Sequence, residues 1–138
     1  KERNEKKSPI VLIANYEHML VPMPPAQRKL SEEVWPGKVT IAIPVDVATA
    51  PAWLHRGNSE FGHRMPDLPE LRGLIEKTGP LIAPSANPEA HVPAMSIDEA
   101  YDYFGEAVDL YVDGGLVDDD TPSQLLRIDE SGAVERLR

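Results

Sequence analysis

Helix and strand signals alternate along the first two thirds of this chain, and its last third is rich in strand signals. Together with an apolar fraction of 41% against 27% charged residues, this predicts an α/β or α+β sheet domain. At 138 residues the chain suits one domain, read here as spanning residues 1–138. No internal repeat or low-complexity tract interrupts it, and its 14 prolines are spread among turns.

The first strand is expected over Pro9 to Asn15, a short β-branched apolar run. Ala26, Leu30 and Val34 recur at helical spacing, so Pro25 to Val34 reads as a helix that stops before the Pro36-Gly37 turn. Lys38 to Val45 alternates and is β-branched, giving a second strand. A single helical turn is expected within Pro51 to Asn58, and another strand over Glu60 to Met65, ended by Pro66. Leu68 to Thr78 is the clearest helix: Asp67 is available as its cap, Pro69 suits the first turn, Leu71, Leu74 and Ile75 make one apolar face, and Gly79 stops it. Pro80 to Pro84 reads as a short buried strand. Ser96 and Glu99 form a capping-box pattern that opens a helix ending at Gly105. Val108 to Val112, Ser123 to Ile128 and Ala133 to Leu137 are three further strand candidates.

Composition narrows the chemistry. With no cysteine, disulfides, thiolate catalysis and cysteine-ligated zinc are excluded. The four histidines include no ligand-spaced pair, so no histidine metal site is expected. Fourteen lysines and arginines against 23 acids give a formal charge of -9, which opposes long-range attraction to nucleic acid. The charges are uneven: Lys1, Arg3, Lys6 and Lys7 open the chain, and Asp113 to Asp120 is strongly acidic. No run approaches the roughly 20 apolar residues of a membrane span and no signal-peptide pattern opens the chain, so the expected location is the cytosol. Lys1 in place of Met, with a strand-like run so soon after it, gives the expectation that the chain starts mid-domain.

Individual motifs each admit two readings. The basic residues at the start are either a solvated cluster or a phosphate-binding group. Trp35-Pro36-Gly37-Lys38 with Thr40 is first a turn with a packing tryptophan. In Phe61-Gly62-His63-Arg64-Met65-Pro66, Arg64 stands at the end of a strand, where a guanidinium can grip a phosphate or carboxylate in bidentate fashion or simply face solvent. Pro84-Ser85-Ala86-Asn87-Pro88 follows an apolar strand, at the edge where α/β sheets bind ligands; the same residues also make self-contained turns. Thr121-Pro122-Ser123 before a strand either caps a turn or meets a ligand.

The order of these motifs is more specific than any one of them. Lys-x-Arg with a following lysine and strand, W-P-G-x-x-T, G-x-R-x-P, P-S-A-N, a D-G-G turn, P-S and a terminal L-R together resemble the YrdC-like family of threonylcarbamoyl-AMP synthases from Lys1 to Arg138. The resemblance implies a twisted mixed β-sheet flanked by helices, of the YrdC/RibB type, with a positively lined cavity over one face. It implies an enzyme that joins L-threonine and bicarbonate and transfers the product to the AMP part of ATP, with magnesium as companion ion and pyrophosphate released. The product would pass to a tRNA-modifying threonylcarbamoyl transferase complex. By the same resemblance Lys1, Arg3, Arg64 and Arg138 would surround the ATP phosphates, Ser85 and Asn87 would add neutral donors, and Ala83 and Ser123 would face threonine. No covalent intermediate and no catalytic cysteine or histidine is implied.

Four departures accompany the likeness. The family normally begins with roughly 40 further residues, including a Y-P-T-E-T-like strand, that nothing here matches. Lys7-Ser8-Pro9, Pro88-Glu89-Ala90 and Pro122-Ser123-Gln124 replace the usual K-P-L, x-S-G and P-S-T. The competing expectation is a truncated or non-catalytic YrdC-like module binding a nucleotide, a protein partner or, weakly, RNA.

Overall fold

The computed structural model describes residues 10–119 and 121–138. The element order is β1 (Ile10–Leu12), α1 (Pro25–Val34), β2 (Val39–Pro44), α2 (Ala52–His55), β3 (Glu60–Arg64), α3 (Pro69–Thr78), β4 (Leu81–Ile82), α4 (Ile97–Phe104), β5 (Gln124–Ile128) and β6 (Val134–Arg136), with 3-10 turns at Tyr16–His18 and Gly105–Ala107. The described residues fall into two compact units. One draws on residues 10–83 and 122–138, the other on residues 84–119 and 121.

The first unit is a six-stranded mixed sheet in the order β4-β1-β3-β2-β5-β6. β1 runs parallel to β3 and β2 parallel to β5, while β4, β2–β3 and β6 pair antiparallel. Strand alternation divides the side chains between the two faces. Val11, Ile13, Ile41, Ile43, Phe61 and Met65 join Trp35 and Leu54 in one buried cluster, against which Leu30 and Val34 of α1 pack. Gln27 ties α1 to the sheet by donating to the Ile128 carbonyl at 3.0 Å. On the other face Leu12 and Ala14 meet Ile75 of α3, with Leu71, Leu81 and Ala83 around them.

α1 starts and ends as the pattern predicts, and β2, β3, β5 and β6 fall inside their predicted ranges. Three expectations are corrected. Asp67 does not cap α3: the helix starts one residue later than that reading requires, so Leu68 is the N-cap residue, and its apolar side chain has no acceptor to offer the first-turn N–H groups. β4 is an edge strand of two residues with Ile82 46% exposed, not a buried strand, since only β1 pairs with it. Val108 to Val112 forms no strand, because alternation creates a strand only where a neighbour accepts its hydrogen bonds.

In the second unit Ser96 caps α4 by accepting from the Glu99 N–H at 3.2 Å, as the capping-box pattern predicts. Glu99 completes the box one residue early, accepting from Met95 N–H at 2.8 Å. Asn87 spans its loop by donating to the carbonyls of Pro88 and His91. Among the described residues no helix is long and apolar enough to cross a membrane.

His63 is the anomaly in the core. It is wholly buried, its ring tilted against that of Phe61 with centroids 4.7 Å apart, and neither ring nitrogen has a partner. Desolvation lowers its pKa to about 4, so it is neutral in the fold. An unfolded chain binds the proton near pH 6.5, so the stability that neutral His63 contributes is complete above that value and shrinks as pH falls toward 4. Urea unfolding at pH 6.5 and pH 5 should show a loss of about 2 kcal/mol assignable to this residue, absent from His63→Leu.

Candidate functional site

Arg64 is delivered by the end of β3. Its neighbour in register, Leu12, belongs to the α3-covered face, so Arg64 points away from the cluster that holds His63. Its Nε is buried and unpartnered. Burial first, and the positive charge of Arg138 second, lower the Arg64 guanidinium from its ordinary value. Two guanidiniums close enough to oppose one another's charge, one of them half-buried with an idle donor, form a group that an anion would relieve.

Arg138 is held from the other side. Its Nε donates to the Ser123 carbonyl at 3.2 Å and its Nη2 to Ser123 Oγ at 3.3 Å. Ser123 Oγ in turn lies 3.2 Å from Thr40 Oγ1, and both hydroxyls are buried. The β5–β6 hairpin makes this return possible: Asp129 accepts from the Ser131 and Ala133 N–H groups, and Gly132 supplies the positive φ of 88° that the turn requires. Leu137 and Arg138 then exchange backbone hydrogen bonds with Leu125.

Two glycines make room for the group. A Cβ on Gly62 would stand 2.6 Å from Thr40 Cγ2, so the glycine of G-x-R lets Thr40 lean across β3. A Cβ on Gly37 would stand 2.7 Å from the Val34 carbonyl oxygen, and the Gly37 N–H donates to Met65 O at 2.9 Å, which fixes where β2 begins. Trp35 Nε1 closes the same turn on the Val39 carbonyl at 2.7 Å. The motif W-P-G-x-x-T is thus a device for placing Thr40, a site residue that sequence reasoning missed; its signal was a lone hydroxyl inside the apolar run Val39–Pro44.

Of the site residues expected from sequence, Arg64, Ser123 and Arg138 come together in the sheet unit. Ala83 closes the end of β4, its N–H donating to Ile10 O at 2.9 Å and its side chain packing near Ile75. Ser85 and Asn87 lie in the other unit, where the Asn87 amide is engaged by its own loop. Lys1 and Arg3 lie outside the described residues. Among the described residues no group of three His, Asp or Glu side chains could hold a metal ion. A groove of about 460 Å³ runs along Tyr16, Met19 to Met23 and Arg28, packed against the apolar cluster of the opposite face; its cation already pairs with Glu32 at 2.7 Å and covers the Tyr16 ring, so it is a poor phosphate site.

A mixed sheet with this strand order and a paired-arginine site at one end of β3 and β5 defines a class, and comparison with known proteins identifies it. The family model Sua5_yciO_yrdC, described as "Telomere recombination", matches residues 1–138. The threonylcarbamoyl-AMP synthase of Marinobacter nauticus is 34% identical over 132 residues, covering 93% of this chain and 70% of the relative. That of Halorhodospira halophila is 31% identical over 140 residues, covering 99% and 72%. P. abyssi Sua5 complexed with L-threonine superposes with a TM-score of 0.84 at 25% identity, covering 99% of this chain and 41% of that one. E. coli YciO, at 17% identity and a TM-score of 0.81, shares the fold, covering 98% and 66%. The chain belongs to the Sua5/YciO/YrdC family. It spans about 70% of the length of these curated relatives and about two fifths of the Sua5 structure.

Gly62→Ala should place its methyl against Thr40 and push the hydroxyl from Ser123. The expected result is a stability loss of about 1–3 kcal/mol in urea unfolding, larger than that of Gly73→Ala, whose Cβ meets nothing within 4 Å.

Proposed function

We propose that this chain forms L-threonylcarbamoyladenylate from L-threonine, bicarbonate and ATP, with the Arg64–Arg138 pair holding nucleotide phosphates. The observation that carries this reading is the half-buried Arg64, with an idle Nε and a second guanidinium beside it. Family membership and the shared name of its curated relatives support the reaction class.

The chemistry suits such a site. Carboxylated threonine attacks the α-phosphorus of ATP through its new carboxylate oxygen, and the bond from that phosphorus to the bridging oxygen of pyrophosphate breaks. Charge builds on the leaving pyrophosphate, and fixed guanidinium donors stabilise it without reorganising. Arg138 can approach phosphate while Ser123 holds it in place, and Ser123 with Thr40 offers neutral hydroxyls to threonine or the reacting carboxylate. Ala83 would add backbone contacts at the threonine end. Lys1, Arg3, Ser85 and Asn87 remain proposed nucleotide contacts by family resemblance. Magnesium would bind through phosphate oxygens and water, as that ion commonly does when no carboxylate cage is offered. The product would pass, in the cytoplasm, to a tRNA-modifying threonylcarbamoyl transferase complex.

A second reading has one specific observation behind it. The Asn87 amide donates to Pro88 and His91 carbonyls, and Glu89 adds an acid to the same loop. This favours a non-catalytic YrdC-like module that binds a nucleotide or a partner without turnover.

Isothermal titration with ATP and magnesium, with and without threonine, tests both. The enzyme reading expects binding that Arg64→Ala weakens by about 1.5–3 kcal/mol, pyrophosphate release that requires threonine and bicarbonate, and loss of that release in Arg64→Ala. Binding without turnover supports the module, and no binding by a folded sample overturns the enzyme reading and leaves the module that binds a partner. Under the enzyme reading, Ser123→Ala should raise the KM for threonine more than that for ATP.

A further inference from the structure

Thr40 is enclosed on every side. It is 0% exposed, whereas Ser123, whose hydroxyl oxygen lies 3.2 Å from that of Thr40, retains 7%. The backbone fixes this meeting: parallel pairing of β2 with β5 sets Thr40 beside Leu125, two residues beyond Ser123 and on the same face. The Thr40 methyl takes the space that a side chain on Gly62 would fill, since a Cβ there would stand 2.6 Å from Thr40 Cγ2. A β-branched side chain has few rotamers, and with its methyl in that notch the Thr40 hydroxyl is turned to Ser123.

The direction of the hydrogen bond between the two hydroxyls decides what Ser123 offers a ligand. A hydroxyl has one proton to donate and two lone pairs, and a guanidinium only donates. Arg138 Nη2 therefore takes one lone pair of Ser123 Oγ, at 3.3 Å, while its Nε donates to the Ser123 carbonyl at 3.2 Å. Were Ser123 to donate to Thr40, the Thr40 proton would be left in an enclosed place, for among the described residues the hydrogen-bond partner of that hydroxyl is Ser123 Oγ. A buried donor without an acceptor carries the full cost of its lost water. Donation from Thr40 to Ser123 avoids that cost and leaves the remaining proton on Ser123, the less enclosed of the two.

We propose that Thr40 is a positioning residue for threonine: by donating to Ser123 it turns the Ser123 proton outward, toward an anionic oxygen of the bound amino acid. This rests on the reading above, in which Ser123 faces threonine. With both lone pairs of its hydroxyl taken, Ser123 donates and does not accept, so the group it meets is a carboxylate oxygen and not the ammonium. Arg138 and Thr40 both draw electron density from the Ser123 oxygen, which strengthens the bond that it gives. Thr40 acts through Ser123.

Thr40→Val keeps a methyl for the notch and removes the proton. Titration with L-threonine in the presence of ATP and magnesium should show a loss of threonine affinity of about three- to tenfold, with ATP affinity unchanged. Thr40→Ser returns the proton and should recover most of the loss. In a cycle with Ser123→Ala, Thr40→Val should cost no further threonine affinity once the Ser123 hydroxyl is gone. Equal threonine affinity in Thr40→Val and the parent chain, an equal loss in Thr40→Ser, additive losses across the cycle, ATP affinity falling in step with that for threonine, or a Thr40→Val chain that does not fold would each overturn the positioning role. The reading beneath it fails separately: the expected pattern of threonine affinities without pyrophosphate release keeps the role of Thr40 and removes the enzyme, and a folded parent chain that binds no threonine removes both.

Discussion

Strand β3 lies between β1 and β2, and its alternation assigns the two faces of the sheet their separate tasks. Phe61 and His63 enter the buried cluster against which α1 packs, while Glu60, Gly62 and Arg64 turn to the face that carries Thr40, Ser123 and Arg127. A slip of one residue would exchange Arg64 for His63, burying a guanidinium among isoleucines and moving the Arg64 cation off the site. Two features oppose that slip. Arg127 of β5 reaches across β2 to make a bidentate pair with Glu60, with Glu135 on its other side at 3.1 Å. Gly62 is the only residue type that fits under Thr40, since any Cβ there lies within 2.6 Å of its methyl. Partial exposure keeps the Arg127 pair weak as a source of stability, and its geometry serves register more than energy.

Much of this arrangement was legible in the sequence because it is written in local chemistry. Helical spacing from Ala26 to Val34, Pro69 at a helix start, Gly79 at its end and β-branched runs for β2 and β3 all report backbone preferences that need no distant partner. Two of the failures have a common cause. Among the described residues Val108 to Val112 has strand periodicity without a strand beside it, and β4 has an apolar composition without a second neighbour; in both the deciding fact is tertiary. Asp67 failed for a local reason, since the helix starts one residue later and puts Leu68 at the N-cap.

The site divides along the same line. Arg64 and Ser123 could be named from sequence because G-x-R-x-P and P-S are among the ordered motifs that carry the resemblance, and Arg138 because it ends that series. Their grouping was not visible: it depends on the parallel pairing of β2 with β5, which sets Thr40 beside Leu125 and so beside Ser123 two residues earlier. Thr40 was noted as part of W-P-G-x-x-T but was given no role in the site. His63, adjacent to Arg64 in the motif, belongs to the opposite face and to the stability of the core.

Arg138 raises the question of whether an arginine so fully engaged is a ligand-binding group or a structural latch. A guanidinium has five donors, and two of them meet Ser123. Were the residue a latch alone, the most stable arrangement would keep other cations away, yet Arg138 is near enough to Arg64 to depress its basicity. Ser123 accepts through both its carbonyl and its hydroxyl, which orients the remaining Arg138 donors without neutralising the charge, since neither acceptor is a carboxylate. Arg127 makes the contrast within the same sheet: it faces Glu60 and Glu135, and its basicity is raised. Arg127 of β5 is thus paired with acids, while Arg138, near the other end of the strand, is positioned by the neutral oxygens of Ser123, which leaves its charge unmatched beside Arg64.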